Sequence, residues 1–151
     1  MSSQRVIIVG GGAAGFFAAI TCAESSPDVR VTVLERSARC LDKVRISGGG
    51  RCNVTHACFE PREFATRYPR GEKPLLGPFQ KFSARDTVAW FASRGVQLKT
   101  ESDDRMFPVT DSSQTIVDCL LNAARNAGVE LRLNCGVVSV TRQPKNGFDL
   151  A

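Results

Sequence analysis

The sequence predicts an α/β fold, a parallel sheet with flanking helices. The grounds are a β-branched run that ends in glycines at Gly10–Gly12, an alanine-rich apolar stretch behind them, and a second run, Val31-Thr32-Val33-Leu34, that ends in an acid, Glu35. Strand, glycine turn, helix, strand and acid in that order make one βαβ unit of the kind that holds a dinucleotide.

The first strand is expected over Arg5–Val9. Gly10, Gly12 and Gly15 then form G-x-G-x-x-G, and each glycine serves a separate steric need. Gly10 permits the tight turn, Gly12 the approach of backbone to a pyrophosphate, and Gly15 the close packing of helix on strand. A helix over Ala13–Ser25 aims its unpaired N–H groups and positive dipole end at the phosphates and stops at Ser25-Ser26-Pro27. The second strand, Arg30–Glu35, delivers Glu35 about 20 residues after the glycines, the spacing of an acid that hydrogen-bonds ribose hydroxyls. A carboxylate repels a 2′-phosphate, so NADP is disfavoured there, while NAD and FAD both fit. The competing reading is a structural turn followed by a surface glutamate.

Residues 36–70 show little periodicity and read as a long irregular segment that wraps a ligand, with Gly48-Gly49-Gly50 at its centre. Helical signals return over Leu75–Phe82. A further helix starts at Ser83, with Asp86 completing an S-x-x-D cap, buries Val88, Phe91 and Ala92 on one stripe and stops at Gly95. Another spans Ser113–Ala127, with Ile116, Val117, Leu120, Leu121 and Ala124 as core and Gly128 as its stop. Val129–Leu133 and Val137–Thr141 read as short strands. Strand-like alternation resumes after the turn signal Pro144-Lys145-Asn146-Gly147.

At 151 residues and 42% hydrophobic, the chain has room for one core. Its last residues look cut in mid-element, so a fragment of a larger enzyme is expected. Met1 leads straight into a strand without a secretory leader, and no apolar run reaches the roughly 18 residues of a membrane span, which points to a cytoplasmic protein. The six cysteines, Cys22, Cys40, Cys52, Cys58, Cys119 and Cys135, follow no disulfide framework and read as free thiols. The net charge is +5, and residues 36–73 carry nine Lys/Arg against four Asp/Glu, so the whole surplus follows the first glycine motif. A local positive field suits a pyrophosphate. Without a basic amphipathic helix or interleaved aromatic and basic residues, a nucleic-acid partner is not expected.

The second chemical feature is Lys43-Val-Arg-Ile-Ser-Gly-Gly-Gly-Arg-Cys-Asn-Val-Thr55. Consecutive glycines expose backbone N–H groups and permit positive φ, so the chain can fold around a phosphate or the edge of a planar ring. Lys43 and Arg51 can offset phosphate charge, and Asn53 both donates and accepts. A flexible glycine loop is the alternative.

The pattern K-x-x-x-S-G-G-G-R-C-N-x-T, followed by Arg105-Met-Phe-Pro-Val-Thr-Asp-Ser-Ser and its helix, resembles the bacterial NAD(P)/FAD-dependent oxidoreductases of the aminoacetone oxidase type, a flavoprotein family that also includes a reductase of 3-dehydro-bile acids. The similarity extends over nearly the whole chain. It implies a Rossmann-like FAD-binding domain of glutathione-reductase type, with the start of a small β-meander. Such a domain would be incomplete here, because the inserted substrate domain and the C-terminal return segment are absent. By this resemblance Gly10, Gly12, Ala13, Ala14 and Gly15 match the pyrophosphate loop, Glu35 the ribose acid, and Arg36 a position beside the adenine. Lys43 and Ser47, Gly48, Gly49, Gly50, Arg51, Cys52 and Asn53 match the segment along the pyrophosphate toward the flavin, and Val137 the backbone at the adenine edge. Asp104 stands where the family has glycine, which predicts an altered turn before Arg105.

The function so implied is an FAD-dependent oxidoreductase, with hydride passing between a small-molecule substrate and the flavin, and NAD(P)H or dioxygen as the other redox partner. The flavin carries the chemistry, so no protein nucleophile is required. Two rivals stand beside it: an NAD-dependent dehydrogenase domain, and a metal-binding module using Cys40, Cys52, His56 and Cys58. The spacing of the latter, C-x11-C-x3-H-x-C, matches no usual zinc knuckle. Cys52 has no partner in a short paired motif and reads as a packed thiol.

Overall fold

The computed structural model describes residues 4–144 and 147–151. Met1–Ser3, and Lys145 and Asn146 of the predicted turn, lie outside the described residues. In chain order the elements are β1 (Arg5–Val9), α1 (Ala13–Ser25), β2 (Arg30–Leu34), α2 (Asp42–Gly50), β3 (Thr55–His56), α3 (Pro61–Thr66), α4 (Glu72–Lys81), α5 (Ala84–Ala92), β4 (Leu98–Thr100), β5 (Arg105–Pro108), α6 (Ser113–Asn126), β6 (Glu130–Arg132), β7 (Val140–Arg142) and β8 (Phe148–Leu150). They divide into two compact units, Met1–Lys43 with Leu120–Ala151, and Val44–Cys119.

The first unit holds a parallel sheet in the order β1-β2-β6, with β1 paired from Arg5↔Arg30 to Val9↔Leu34 and β2 paired from Thr32↔Glu130 to Leu34↔Arg132. β1 and β2 are rich in β-branched residues, and Ala19, Val31 and Val33 are buried together with Val6, Ile8, Cys22, Ala23, Val29 and Val129 against them. Phe16 and Ile20, one helical turn apart on α1, and Leu120 are buried as well. The hairpin β7–β8 pairs antiparallel, from Val140↔Leu150 to Arg142↔Phe148. The strand expected over Val137–Thr141 starts three residues later, and Val137 lies in the irregular segment before it.

The second unit contains a short antiparallel sheet, β3-β5-β4, and helices α3, α4 and α5. The segment expected to be irregular between residues 36 and 70 holds α2, β3 and α3. α3 is started by Glu60, whose carboxylate accepts from Arg62 N–H at 3.4 Å, and by Pro61 at the first helical position. Phe64 and Ala84 pack with Cys58 and Phe79 into a small core, and Phe64, Tyr68 and Phe79 form an aromatic cluster with centroids 4.7–5.5 Å apart. α5 is capped as predicted: the Asp86 carboxylate accepts from Ser83 N–H at 2.7 Å. Phe91 is buried on this helix and Val88 half-buried, but Ala92, expected on the same stripe, is the last residue of the helix and is exposed. Among the described residues no helix is long and apolar enough to cross a membrane.

Candidate functional site

In the first unit the glycine turn sits at the carboxyl ends of the parallel strands, where ligands of open α/β sheets bind. Gly10 has φ +104°, a conformation L residues avoid, and its N–H donates to Leu34 O at 2.8 Å. A Cβ on Gly15 would lie 2.0 Å from Gly10 O, so this glycine is what lets α1 close on the end of β1. Gly12 differs from both. It caps α1 in extended conformation, φ −87° and ψ −176°, and a Cβ built on it meets nothing within 4 Å.

Glu35 follows β2 and turns back on the same loop. Its Oε2 accepts from Gly11 N–H at 2.7 Å and its Oε1 from Ser37 N–H at 2.8 Å. These bonds, Ser37 first and then Gly11, hold the carboxyl below the usual carboxylate range despite partial burial. Each carboxylate oxygen retains a second lone pair, so Glu35 is ionised, fixed in place and able to accept from hydroxyls. Sequence reasoning passed over Gly11 as a free position of the motif. A Cβ there would stand 2.6 Å from Cys40 Sγ and 3.2 Å from Glu35 Oε2, so the position is closed to any side chain. Cys40 is buried beside this carboxylate, and burial first, then the Glu35 charge, pushes its thiol up to about 11. Leu41 N–H donates to Gly11 O at 2.8 Å from a left-handed φ of 63°.

Arg36 is exposed. The chain after β6 returns to it: Cys135 N–H donates to Glu35 O at 2.8 Å, and a Cβ on Gly136 would be 3.3 Å from Arg36 Cβ. Val137, the next residue, is half-buried. The first unit therefore brings together Gly10, Gly12, Ala13, Ala14, Gly15, Glu35, Arg36 and the approach to Val137. Lys43, at the end of this stretch of chain, is exposed and has no ion pair among the described residues.

In the second unit α2 breaks at Ser47, with φ −64° and ψ 150°, and Gly48, Gly49 and Gly50 follow at φ 56°, 68° and 86°. Cys52 also has positive φ, 63°, and its N–H donates to Ser47 O at 2.9 Å, closing the loop. Gly48 is required twice over, since a Cβ would meet Phe107 Cε1 at 2.7 Å and Asn53 N at 2.8 Å. Gly49, Gly50 and Asn53 are exposed. The Cys52 thiol is buried, and burial raises it above its ordinary value, as suits a packed thiol. The guanidinium of Arg51 lies 4.1 Å from the Phe107 ring centroid, is hydrogen-bonded by Glu101, and has Asp111 Oδ1 at 3.6 Å. Its charge is thus matched inside the unit. Asp104, before Arg105, adopts a left-handed φ of 63°, a conformation that favours glycine, and its carbonyl accepts from Ala57 N–H at 2.7 Å.

Among the described residues no three His, Cys, Asp or Glu side chains converge to hold a metal ion.

The chain is 31% identical over 150 residues to the ribosomal RNA dihydrouridine synthase of Escherichia coli, covering 99% of this chain and 36% of that protein. It is 29% identical over 128 residues to the 3-dehydro-bile acid delta(4,6)-reductase of Clostridium scindens, covering 85% of this chain and 30% of the relative. It thus spans about a third of the length of either. Among solved structures, the 3-ketosteroid-delta4-(5alpha)-dehydrogenase of Rhodococcus jostii superposes with a TM-score of 0.68 at 14% identity, over 95% of this chain and 41% of that one. THI4 of Thermovibrio ammonificans follows with a TM-score of 0.62 at 14% identity, over 98% and 45%. At such identity these two speak for the fold. The family described as HI0933-like protein Rossmann domain matches residues 4–151, and the chain belongs to this family of FAD-binding Rossmann domains.

Proposed function

We propose that this chain is the N-terminal part of the FAD-binding domain of a flavin-dependent oxidoreductase, with substrate determinants on sequence beyond these residues. The share of each relative's length that it spans supports this. The observation that carries the cofactor assignment is Gly12: neither its φ nor any neighbouring atom demands glycine, yet it heads α1 next to an ionised Glu35. A pyrophosphate lying against that backbone supplies the missing reason, since a side chain there would hold it off.

In this reading Gly10, Gly12, Ala13, Ala14 and Gly15 present backbone N–H groups and the helix dipole to the pyrophosphate, Glu35 accepts from the adenosine ribose, and Arg36 and Val137 flank the adenine. Lys43 offers its unpaired charge, and Ser47 through Asn53 follow the cofactor toward the flavin. FAD, when bound, supplies two-electron redox chemistry. The protein's own part is to bind, orient and shield it.

The names of the two relatives share one chemistry, reduction of a ring carbon–carbon double bond conjugated to a carbonyl, and a substrate of this class is our reading for the complete protein, with NAD(P)H or dioxygen as the other redox partner. A small molecule is the first candidate. The 31% identity to a protein named for ribosomal RNA favours a second reading, a base within RNA, against the sequence-based expectation of no nucleic-acid partner. The six free cysteines suit the reducing cytoplasm, the compartment we propose.

The test is to purify the protein in the longest form its gene encodes, record its visible spectrum, and titrate stripped protein with FAD and NAD. A flavin band and saturable FAD binding are expected. Uptake of NAD with indifference to FAD would contradict the reading. Offering a cyclic enone and an RNA containing uridine to the reduced protein then separates the two substrate classes by which one reoxidises the flavin.

A further inference from the structure

The triple-glycine loop is costly to hold. Gly48, Gly49, Gly50 and Cys52 all sit at positive φ, and one of them, Cys52, carries a side chain. Loop backbone bonds are few: Cys52 N–H to Ser47 O at 2.9 Å, and Arg51 N–H to Gly48 O at a long 3.4 Å. What remains are side chains from the strands β4 and β5 and the segments flanking them. Phe107 is fully buried and pressed against Gly48, and the Arg51 guanidinium lies 4.1 Å from its ring centroid. Glu101 grips that guanidinium with both oxygens, Oε2 lying 3.4 Å from Nη2, while Asp111 stands 3.6 Å from Nη1 and is itself paired with Lys99. A planar guanidinium between a ring and a forked carboxylate has little freedom left.

We infer that Glu101 is the positioning residue of the glycine loop: by holding Arg51 against Phe107 it fixes the loop in the shape that receives the cofactor. Arg51 thereby acts on the cofactor through the loop's backbone and not through its own charge, which Glu101 and Asp111 already match. This inference rests on the FAD reading above. Asp111, farther away and shared with Lys99, plays the lesser part.

A double-mutant cycle on the purified protein tests it. FAD affinity is measured by flavin fluorescence for wild type, Glu101→Gln, Arg51→Gln and the double variant, with visible circular dichroism of the bound flavin as a second readout. Each single variant is expected to weaken FAD at least about tenfold. The double variant should be no weaker than the worse single one, because both break the same link. The dichroic signature should change in Glu101→Gln and return in part in Glu101→Asp, which restores the carboxylate. Additive losses would show that Arg51 meets the cofactor independently of Glu101 and would overturn the inference while leaving the FAD reading in place. Wild-type affinity and dichroism in Glu101→Gln would overturn it too. If Glu101→Gln does not fold, Asp111→Asn replaces it in the cycle, with a smaller but still non-additive loss expected. A wild-type protein that takes up no FAD overturns the parent reading and this one with it.

Discussion

At Gly10–Gly15 a strand and a helix hold the turn, and two backbone bonds, Gly10 N–H to Leu34 O and Leu41 N–H to Gly11 O, tie it down with a single side chain, the Glu35 carboxylate on Gly11 N–H, beside them. At Ser47–Asn53 the helix has already broken, and the turn leans on side chains, Phe107 beneath Gly48 and Arg51 with its acids. The same residue type therefore answers different demands. Gly15 is kept for contact, Gly10, Gly49 and Gly50 for conformation, Gly48 for both, and Gly12 for neither. Where the fold itself gives no reason for a glycine, a ligand becomes the economical explanation.

Substitutions that add one methyl group test that division. Gly15→Ala should be the most damaging: a Cβ 2.0 Å from a backbone oxygen has no flexible neighbour to move, and the loss should exceed the roughly 1–3 kcal/mol of ordinary overpacking, read as a fall in the urea midpoint. Gly48→Ala combines a positive φ with contacts on the Phe107 ring at 2.7 Å and Asn53 N at 2.8 Å, both less severe than 2.0 Å, and should cost about 2 kcal/mol by the same assay. Equal losses in the two variants would mean that the second loop is as rigidly framed as the first. Gly49→Ala, strained only by its φ of 68°, should cost about 1 kcal/mol, and Gly49→Asn less, since asparagine tolerates the left-handed region.

The acid limb of stability probes the first turn in another way. Backbone N–H groups lower the Glu35 carboxyl in the folded state, so its contribution is complete above the ordinary carboxylate value and is lost as pH falls through the lower folded value. Glu35→Gln should lower stability at neutral pH and flatten the decline below the ordinary range, measured as urea midpoints between neutral pH and acid. An unchanged acid slope in Glu35→Gln would show that these bonds do not depend on the charge.

The βαβ unit was legible in the sequence because pattern, glycine spacing and acid placement all agree along it, and β1, α1 and β2 fall where that pattern puts them. The stretch after Glu35 was not, because α2 breaks at Ser47, α3 has six residues and β3 two, which leaves too few repeats for periodicity to show. Of the candidate site, the glycines and Glu35 could be named from spacing. Gly11 was hidden by a motif that leaves its position free, although the burial of Cys40 and the return of Glu35 close it. The partners of Arg51 could not be named, since Glu101 lies 50 residues away and only folding brings the two together.

If the first glycine turn is shaped for a pyrophosphate, FAD titration of Gly12→Thr should reveal it. Threonine is accepted at a helix N-cap and a Cβ there meets no atom of the protein, so folding should be undisturbed. The stripped variant should keep the wild-type thermal midpoint, while its FAD titration no longer saturates where wild type does. Wild-type FAD affinity in Gly12→Thr would refute the assignment of this turn to the cofactor.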